Sequence, residues 1–163
     1  MFDAYRQAQA LRDLTADLGG IFIVNDRCDL ALAVEADGVH LGQEDLPLPL
    51  ARQLLGPTRM IGVSTHRPEQ VTQATLDGAD YLGYGPMFGT ATKRDHEPVV
   101  GVEGLQAVRG LTLLPIFAIG GIKPEAIDSI KAAGADGVAV ISAVAGAPDV
   151  RDAAALFVRR WAA

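Results

Sequence analysis

Two aspartates, Asp26 and Asp45, stand in polar segments that follow apolar runs, in Val24-Asn25-Asp26-Arg27 and Gly42-Gln43-Glu44-Asp45. Mg²⁺ takes one or two carboxylates and completes its shell with water and phosphate oxygens, a need that two such residues meet. Asp also caps helix N-termini, and on spacing alone capping is the reading to prefer. A second segment, Ala118-Ile119-Gly120-Gly121-Ile122-Lys123-Pro124, ends an apolar run in paired glycines. Glycines let backbone approach a ligand, and a helix start just after them offers free N–H groups to a phosphate. Val140-Ile141-Ser142-Ala143 adds a hydroxyl and further amides. A plain tight turn would explain the glycines alone, whereas the glycines and Ser142 together point to a phosphate site.

The longest polar stretch without periodicity is 85–96, which contains Thr90, Ala91, Thr92, Lys93 and Arg94. Its hydroxyls and cations suit a departing diphosphate, and the competing reading is a solvated loop. The three histidines carry less. His40 falls within an apolar run and reads as a packed residue, His66 as a residue at a strand end, and His96 as part of the loop. No pair has zinc-ligand spacing, and no Ser/His/Asp order suggests a hydrolytic triad. Gly83-Tyr84-Gly85 lacks the following helix that a dinucleotide fingerprint needs. Cys28 and Trp161 read as packing residues.

These residues need elements to hold them. One pattern recurs three times, in Glu35-Ala36-Asp37-Gly38, Gly78-Ala79-Asp80-Tyr81 and Gly134-Ala135-Asp136-Gly137, each leading into an apolar run. Physically this is a helix end, a tight turn and the start of a buried strand. Strands are predicted at 21–26, 38–42, 60–65, 81–86, 115–120 and 137–142. Helices are predicted at 3–18, 29–36, 47–55, 68–77, 102–109, 124–133 and 149–161, with Pro47, Pro68 and Pro124 near helix starts. Strict alternation gives an α/β fold with a parallel sheet, either doubly wound or a closed barrel. Polar residues or glycines gather at the C-terminal ends of all six runs, which favours a TIM (β/α)₈-type barrel, because only a barrel converges them on one site.

Composition narrows the partners. The chain has 163 residues, 49% hydrophobic and 21% charged, with a net charge of −6. That balance suits one globular domain spanning 1–163, and the acidity argues against nucleic acid, which needs a basic surface. No run approaches the ~20 apolar residues of a membrane helix, and the first residues carry no secretory pattern. A lone cysteine fits a reducing cytoplasm. The expected partners are therefore small phosphorylated molecules.

Taken together, the pieces resemble the thiamine-phosphate synthase family. The matching segments are Val24-Asn25-Asp26-Arg27, Asp37 through Asp45, Gly62-Val63-Ser64-Thr65-His66, Gly85-Pro86 with Thr90-Ala91-Thr92-Lys93, Ala118 through Ile122, and Gly137 through Ser142. The resemblance implies a Mg²⁺-dependent transferase that joins hydroxymethylpyrimidine diphosphate to thiazole phosphate with release of pyrophosphate. It implies that Asp26 and Asp45 hold Mg²⁺, and that Asn25, Ser64 and Lys93 contact the pyrimidine diphosphate, Ser64 and Lys93 as catalytic residues. It assigns Thr90-Ala91-Thr92, Gly121 and Ile141-Ser142 to the thiazole phosphate.

The family pattern also leads one to expect two strands ahead of residue 1, the second ending in a Gln-x-Arg-x-Lys segment, and nothing in this sequence matches it. The barrel is therefore expected to be incomplete, with about six strands and two open sheet edges, and poorly active unless another chain fills the gap. A homodimer stays among the open assembly states. Two alternative functions stay open as well: a non-catalytic phosphate-binding remnant, and a thiazole tautomerase-like enzyme. The tautomerase carries a catalytic His where this chain has Pro86 and lacks the paired aspartates.

Overall fold

A computed structural model describes residues 2–89 and 98–163. The order is α1 (Phe2–Asp17), β1 (Ile23–Asn25), α2 (Cys28–Ala33), β2 (Gly38–Leu41), α3 (Leu48–Leu55), β3 (Met60–Thr65), α4 (Pro68–Leu76) and β4 (Tyr81–Tyr84). There follow α5 (Gly101–Arg109), β5 (Ile116–Ile119), a 3₁₀ turn (Pro124–Ala126), α6 (Ile127–Ala132), β6 (Gly137–Ala139), α7 (Ser142–Ala145) and α8 (Val150–Ala162). The six strands lie in one parallel sheet in the order β1-β2-β3-β4-β5-β6. A doubly wound sheet would reverse its strand order at a switch point. This order never reverses, so the sheet is an arc of a (β/α) barrel.

The core lies between sheet and helices. Alternate strand residues, Val39, Leu41, Ile61, Leu82, Ile116 and Ala118, are buried against Ala51, Val71, Leu105, Val108, Ile127 and Ile130 of the helices. Each large side chain buried this way contributes roughly 1.5–3 kcal/mol. The strand residues between them, including His40, Ser64, Tyr81 and Phe117, face the inside of the arc.

The recurring Asp has a defined task at the strands' N-terminal ends. Among the described residues, Asp37, Asp80 and Asp136 each accept a backbone N–H at the start of the preceding strand, from Phe22 at 2.7 Å, Ile61 at 2.7 Å and Ile116 at 2.8 Å. Each returns its own N–H to the carbonyl of that same residue. An arginine on the helix before that strand closes the clamp: Arg12 lies 3.6 Å from Asp37, Arg52 2.6 Å from Asp80 and Arg109 2.8 Å from Asp136. The clamp therefore recurs once per pair of βα units.

Differences from the predicted elements sit at their ends. The sixth strand stops at Ala139 rather than 142, and Ser142 opens α7 instead. The predicted helix 124–133 is a 3₁₀ turn followed by α6. Neither Asp26 nor Asp45 is the N-cap of a helix: Arg27 precedes α2 and Pro47 precedes α3. Cys28 is buried, and Trp161 packs half-buried against the core, its carbonyl accepting from Lys131 Nζ at 2.8 Å.

Candidate functional site

All candidate residues within the described part lie at the C-terminal ends of the strands. Asn25 closes β1 and is exposed. Asp26 follows with φ 62°, a left-handed conformation uncommon outside glycine, and its N–H donates to the His40 carbonyl at 2.8 Å. Such backbone costs of order 1 kcal/mol and concentrates at functional sites. Beyond β2, the Asp45 carboxylate accepts the Gly42 N–H at 2.6 Å, which folds the turn back toward the strand end. Arg27 forks onto Asp29 at 2.7 and 2.5 Å; that pairing holds the Asp29 carboxyl down at about 2.

Ser64, on β3, belongs to the same group. Its hydroxyl lies 2.9 Å from His40 Nε2, and its carbonyl accepts Gln43 Nε2 at 2.5 Å. His40 Nδ1 meets the Tyr81 hydroxyl at 3.1 Å. Burial pushes the His40 imidazole below its ordinary value, with Asp45 opposing, and pushes the Tyr81 phenol up to about 12. The first three strands and β4 thus tie Asp26, Gln43, Ser64, His40 and Tyr81 into one connected patch. Hydrogen bonding gives His40 a part that packing alone did not suggest. His66 sits past β3 as predicted, with Nδ1 2.5 Å from the Gly85 carbonyl.

A second group forms at β5 and β6. After β4 the chain runs along β5, with Met87 N–H donating to Ile119 O at 2.8 Å and Phe88 N–H to Gly120 O at 3.0 Å. This brings Gly89 to Gly121, where a Cβ would stand 2.6 Å from the Gly89 carbonyl oxygen and φ is 65°. Only glycine fits there. Gly89, Gly121, Lys123, Pro124, Glu125 and Ser142 line a cavity of about 470 Å³, so the two residues read as phosphate ligands, Gly121 and Ser142, open into one space. Ile141 lies beside it, 61% exposed. Thr90, Ala91, Thr92 and Lys93, with Arg94 and His96, lie outside the described residues.

Two carboxylates on neighbouring strand ends are the donor set of a hard cation that keeps positions open for water and phosphate. A closed cage is not what they form: among the described residues no group of three or more His, Cys, Asp or Glu side chains could hold a metal. In residue type, and in standing after neighbouring strands, the two aspartates suit Mg²⁺. No described helix is long and apolar enough to cross a membrane.

Comparison with known proteins places the chain among relatives. The family described as thiamine monophosphate synthase matches residues 2–144. A thiamine-phosphate synthase of Moorella thermoacetica is 57% identical over 146 residues, covering 90% of this chain and 70% of the relative. Another, of Chloroflexus aurantiacus, is 53% identical over 148 residues, 91% of this chain and 68% of the relative. A solved thiamine phosphate pyrophosphorylase from Pyrococcus furiosus superposes with a TM-score of 0.90 at 41% identity, covering 98% of this chain and 76% of that one.

Proposed function

The chain belongs to the thiamine monophosphate synthase family, and from that premise we propose that it joins hydroxymethylpyrimidine diphosphate to thiazole phosphate, releasing pyrophosphate. The observation that carries this reading is the division of one rim into two complementary groups. Asp26, Asp45 and Ser64 stand over β1–β3, while Gly121 and Ser142 open a cavity over β5 and β6. A cation-binding half suits a diphosphate, and a half built of glycine, amides and a hydroxyl suits a monophosphate.

In the proposed reaction the bond between the pyrimidine methylene and the diphosphate oxygen breaks, and its electron pair leaves with pyrophosphate. The thiazole nitrogen gives its lone pair to the same methylene carbon and forms the new C–N bond. Mg²⁺, when bound, supplies positive charge to the diphosphate oxygens, and Asp26 and Asp45 would hold it. Lys93 adds a second positive charge, and Asn25 and Ser64 orient the diphosphate and pyrimidine. Thr90-Ala91-Thr92, the Gly121 amide and Ile141-Ser142 seat the thiazole phosphate, which aligns its nitrogen with the methylene carbon. No protein nucleophile is needed, in keeping with a lone buried Cys28.

The test is formation of thiamine phosphate by the purified protein with both phosphorylated substrates and Mg²⁺. Product that requires Mg²⁺ and disappears in Asp26→Ala is the expected result. Pyrophosphate release that is indifferent to Mg²⁺ and to Asp26 would overturn the assignment of the cation-binding half.

A further inference from the structure

Behind Ser64 lies a hydrogen-bonded unit that the reaction above does not use. Strand register sets His40 of β2 opposite Gly62 of β3, and Gly62 opposite Tyr81 of β4. Because Gly62 has no side chain, the two rings meet above it, with centroids 5.5 Å apart and planes inclined at 33°. A Cβ on Gly62 would stand 2.0 Å from Tyr81 Cζ. Gly83, opposite Ser64, makes room for the imidazole in the same way, since a Cβ there would stand 3.1 Å from His40 Cε1. Three strands thus contribute a line of polar atoms: Tyr81 hydroxyl, His40 Nδ1 at 3.1 Å, His40 Nε2, and Ser64 Oγ at 2.9 Å.

We propose that His40 is a positioning residue that makes Ser64 a hydrogen-bond donor to substrate. Tyr81 donates to Nδ1, the imidazole proton is thereby held on Nε2, and Nε2–H donates to Ser64 Oγ. The Ser64 hydrogen then points away from His40, toward an acceptor on the substrate. Direction follows from the chemistry of the groups. A neutral imidazole has one N–H and one lone pair, so the two ends of the line must run the same way. A phenol O–H donates more strongly than its oxygen accepts, and among the described residues Nδ1 is the acceptor within its reach. The reverse order would spend the Ser64 hydrogen on Nε2 and present only lone pairs to a ligand. Diphosphate oxygens and pyrimidine ring nitrogens are acceptors, and a donor is what they require. The inference rests on the reading of Ser64 as a substrate contact.

The tautomer is measurable without turnover. In protein labelled with ¹⁵N-histidine at neutral pH, His40 is expected in the Nε2–H form, and Tyr81→Phe is expected to abolish that single preference. A His40 resonance in the Nδ1–H form would overturn the inference and leave the proposed reaction standing, whereas absence of thiamine phosphate would count against the reaction alone. In turnover, Tyr81→Phe should lower kcat about five- to tenfold with KM nearly unchanged, as expected for loss of one orienting hydrogen bond. His40→Gln keeps an N–H near the Nε2 position and should recover most of the kcat that His40→Leu loses. Equal loss in Gln and Leu variants, matched by equal loss of Tm, would reduce His40 to packing and overturn the proposal.

Discussion

The two rims of the arc are built from the same residue type used in opposite ways. At the N-terminal ends of the strands, Asp37, Asp80 and Asp136 turn inward to the backbone, each gripping an N–H at a strand's start and an arginine of the preceding helix. Arg109 also donates to the Thr112 and Leu114 carbonyls at 2.7 and 2.9 Å, so one guanidinium satisfies several strand-start acceptors. At the C-terminal ends, Asp26 sits on left-handed backbone and Asp45 closes its own turn onto the Gly42 N–H, neither capping a helix. The lower carboxylates hold strand starts and an arginine, whereas the upper ones stand in the turns that follow β1 and β2, where the candidate residues gather. The barrel thus separates the work of holding strands together from the work of chemistry, as barrels generally do.

The separation predicts unequal costs for equal substitutions. The largest effect is expected at the upper rim: Asp26→Asn keeps a residue that tolerates φ above zero and removes only the charge. Synthase activity should fall at least about a hundredfold, as for loss of a group that stabilises developing charge, with stability within about 0.5 kcal/mol of the parent. Steady-state kinetics and a thermal melt on the same sample read both. A large fall in Tm would mean that Asp26 is structural after all. At the lower rim the balance should invert. Asp136→Ala leaves the Ile116 N–H without its acceptor and Arg109 without its carboxylate, for about 2 kcal/mol or roughly 4–8 °C in Tm. The ion pair itself is half exposed and adds little, so the backbone hydrogen bond carries most of the loss. The kcat of the folded fraction should stay within twofold.

Some of this contrast was legible in the sequence and some was not. The three repeated turns located strands, and the polar ends of six runs pointed to the rim where the candidate residues gather, because periodicity and turn chemistry are local. The same locality misled at 140–142, where Val140-Ile141 continues an apolar run although the chain has left the sheet and Ile141 is 61% exposed. Asp26 and Asp45 were recognisable by type, but spacing favoured capping, and only the positions of Arg27 and Pro47 ahead of the helices removed that reading. The partners of the repeated Asp and of His40 were invisible for a common reason. Tyr81 and Ser64 lie 41 and 24 residues from His40, and Arg109 lies 27 from Asp136. Strand register, not local pattern, brings them together.

Between the rims, Tyr81 offers a smaller, pH-dependent effect. Its phenol is pushed up to about 12 from the usual 10, by burial first and by Asp80 second. A folded value above the unfolded one means the contribution is fully present below pH 10 and is lost as pH rises through 12. Tyrosinate absorbance should therefore show a group with a midpoint near 12 that is missing in Tyr81→Phe. The parent protein should also lose stability relative to that variant between pH 10 and 12. Ionisation of Tyr81 near pH 10 would mean that the ring is open to water and the inner layer loose.

The smallest effect is expected at a lower-rim side chain that takes no part in a clamp. Leu113 is 101% exposed, next to the half-exposed Leu111, at the mouth of a cavity of about 320 Å³ that Thr75 and Thr112 also line. An apolar side chain stabilises by the area it removes from water, and Leu113 removes none. Leu113→Ser should therefore shift stability by less than about 0.5 kcal/mol and leave turnover unchanged. The comparison with Asp136→Ala is direct, because both residues lie at the N-terminal rim, Leu113 ahead of β5 and Asp136 ahead of β6, and Asp136 bonds the first residue of β5. A Tm loss of several degrees that grows with dilution would instead mean that this leucine is covered in solution by a second surface. The lower rim would then owe part of its stability to association rather than to the Arg–Asp clamps.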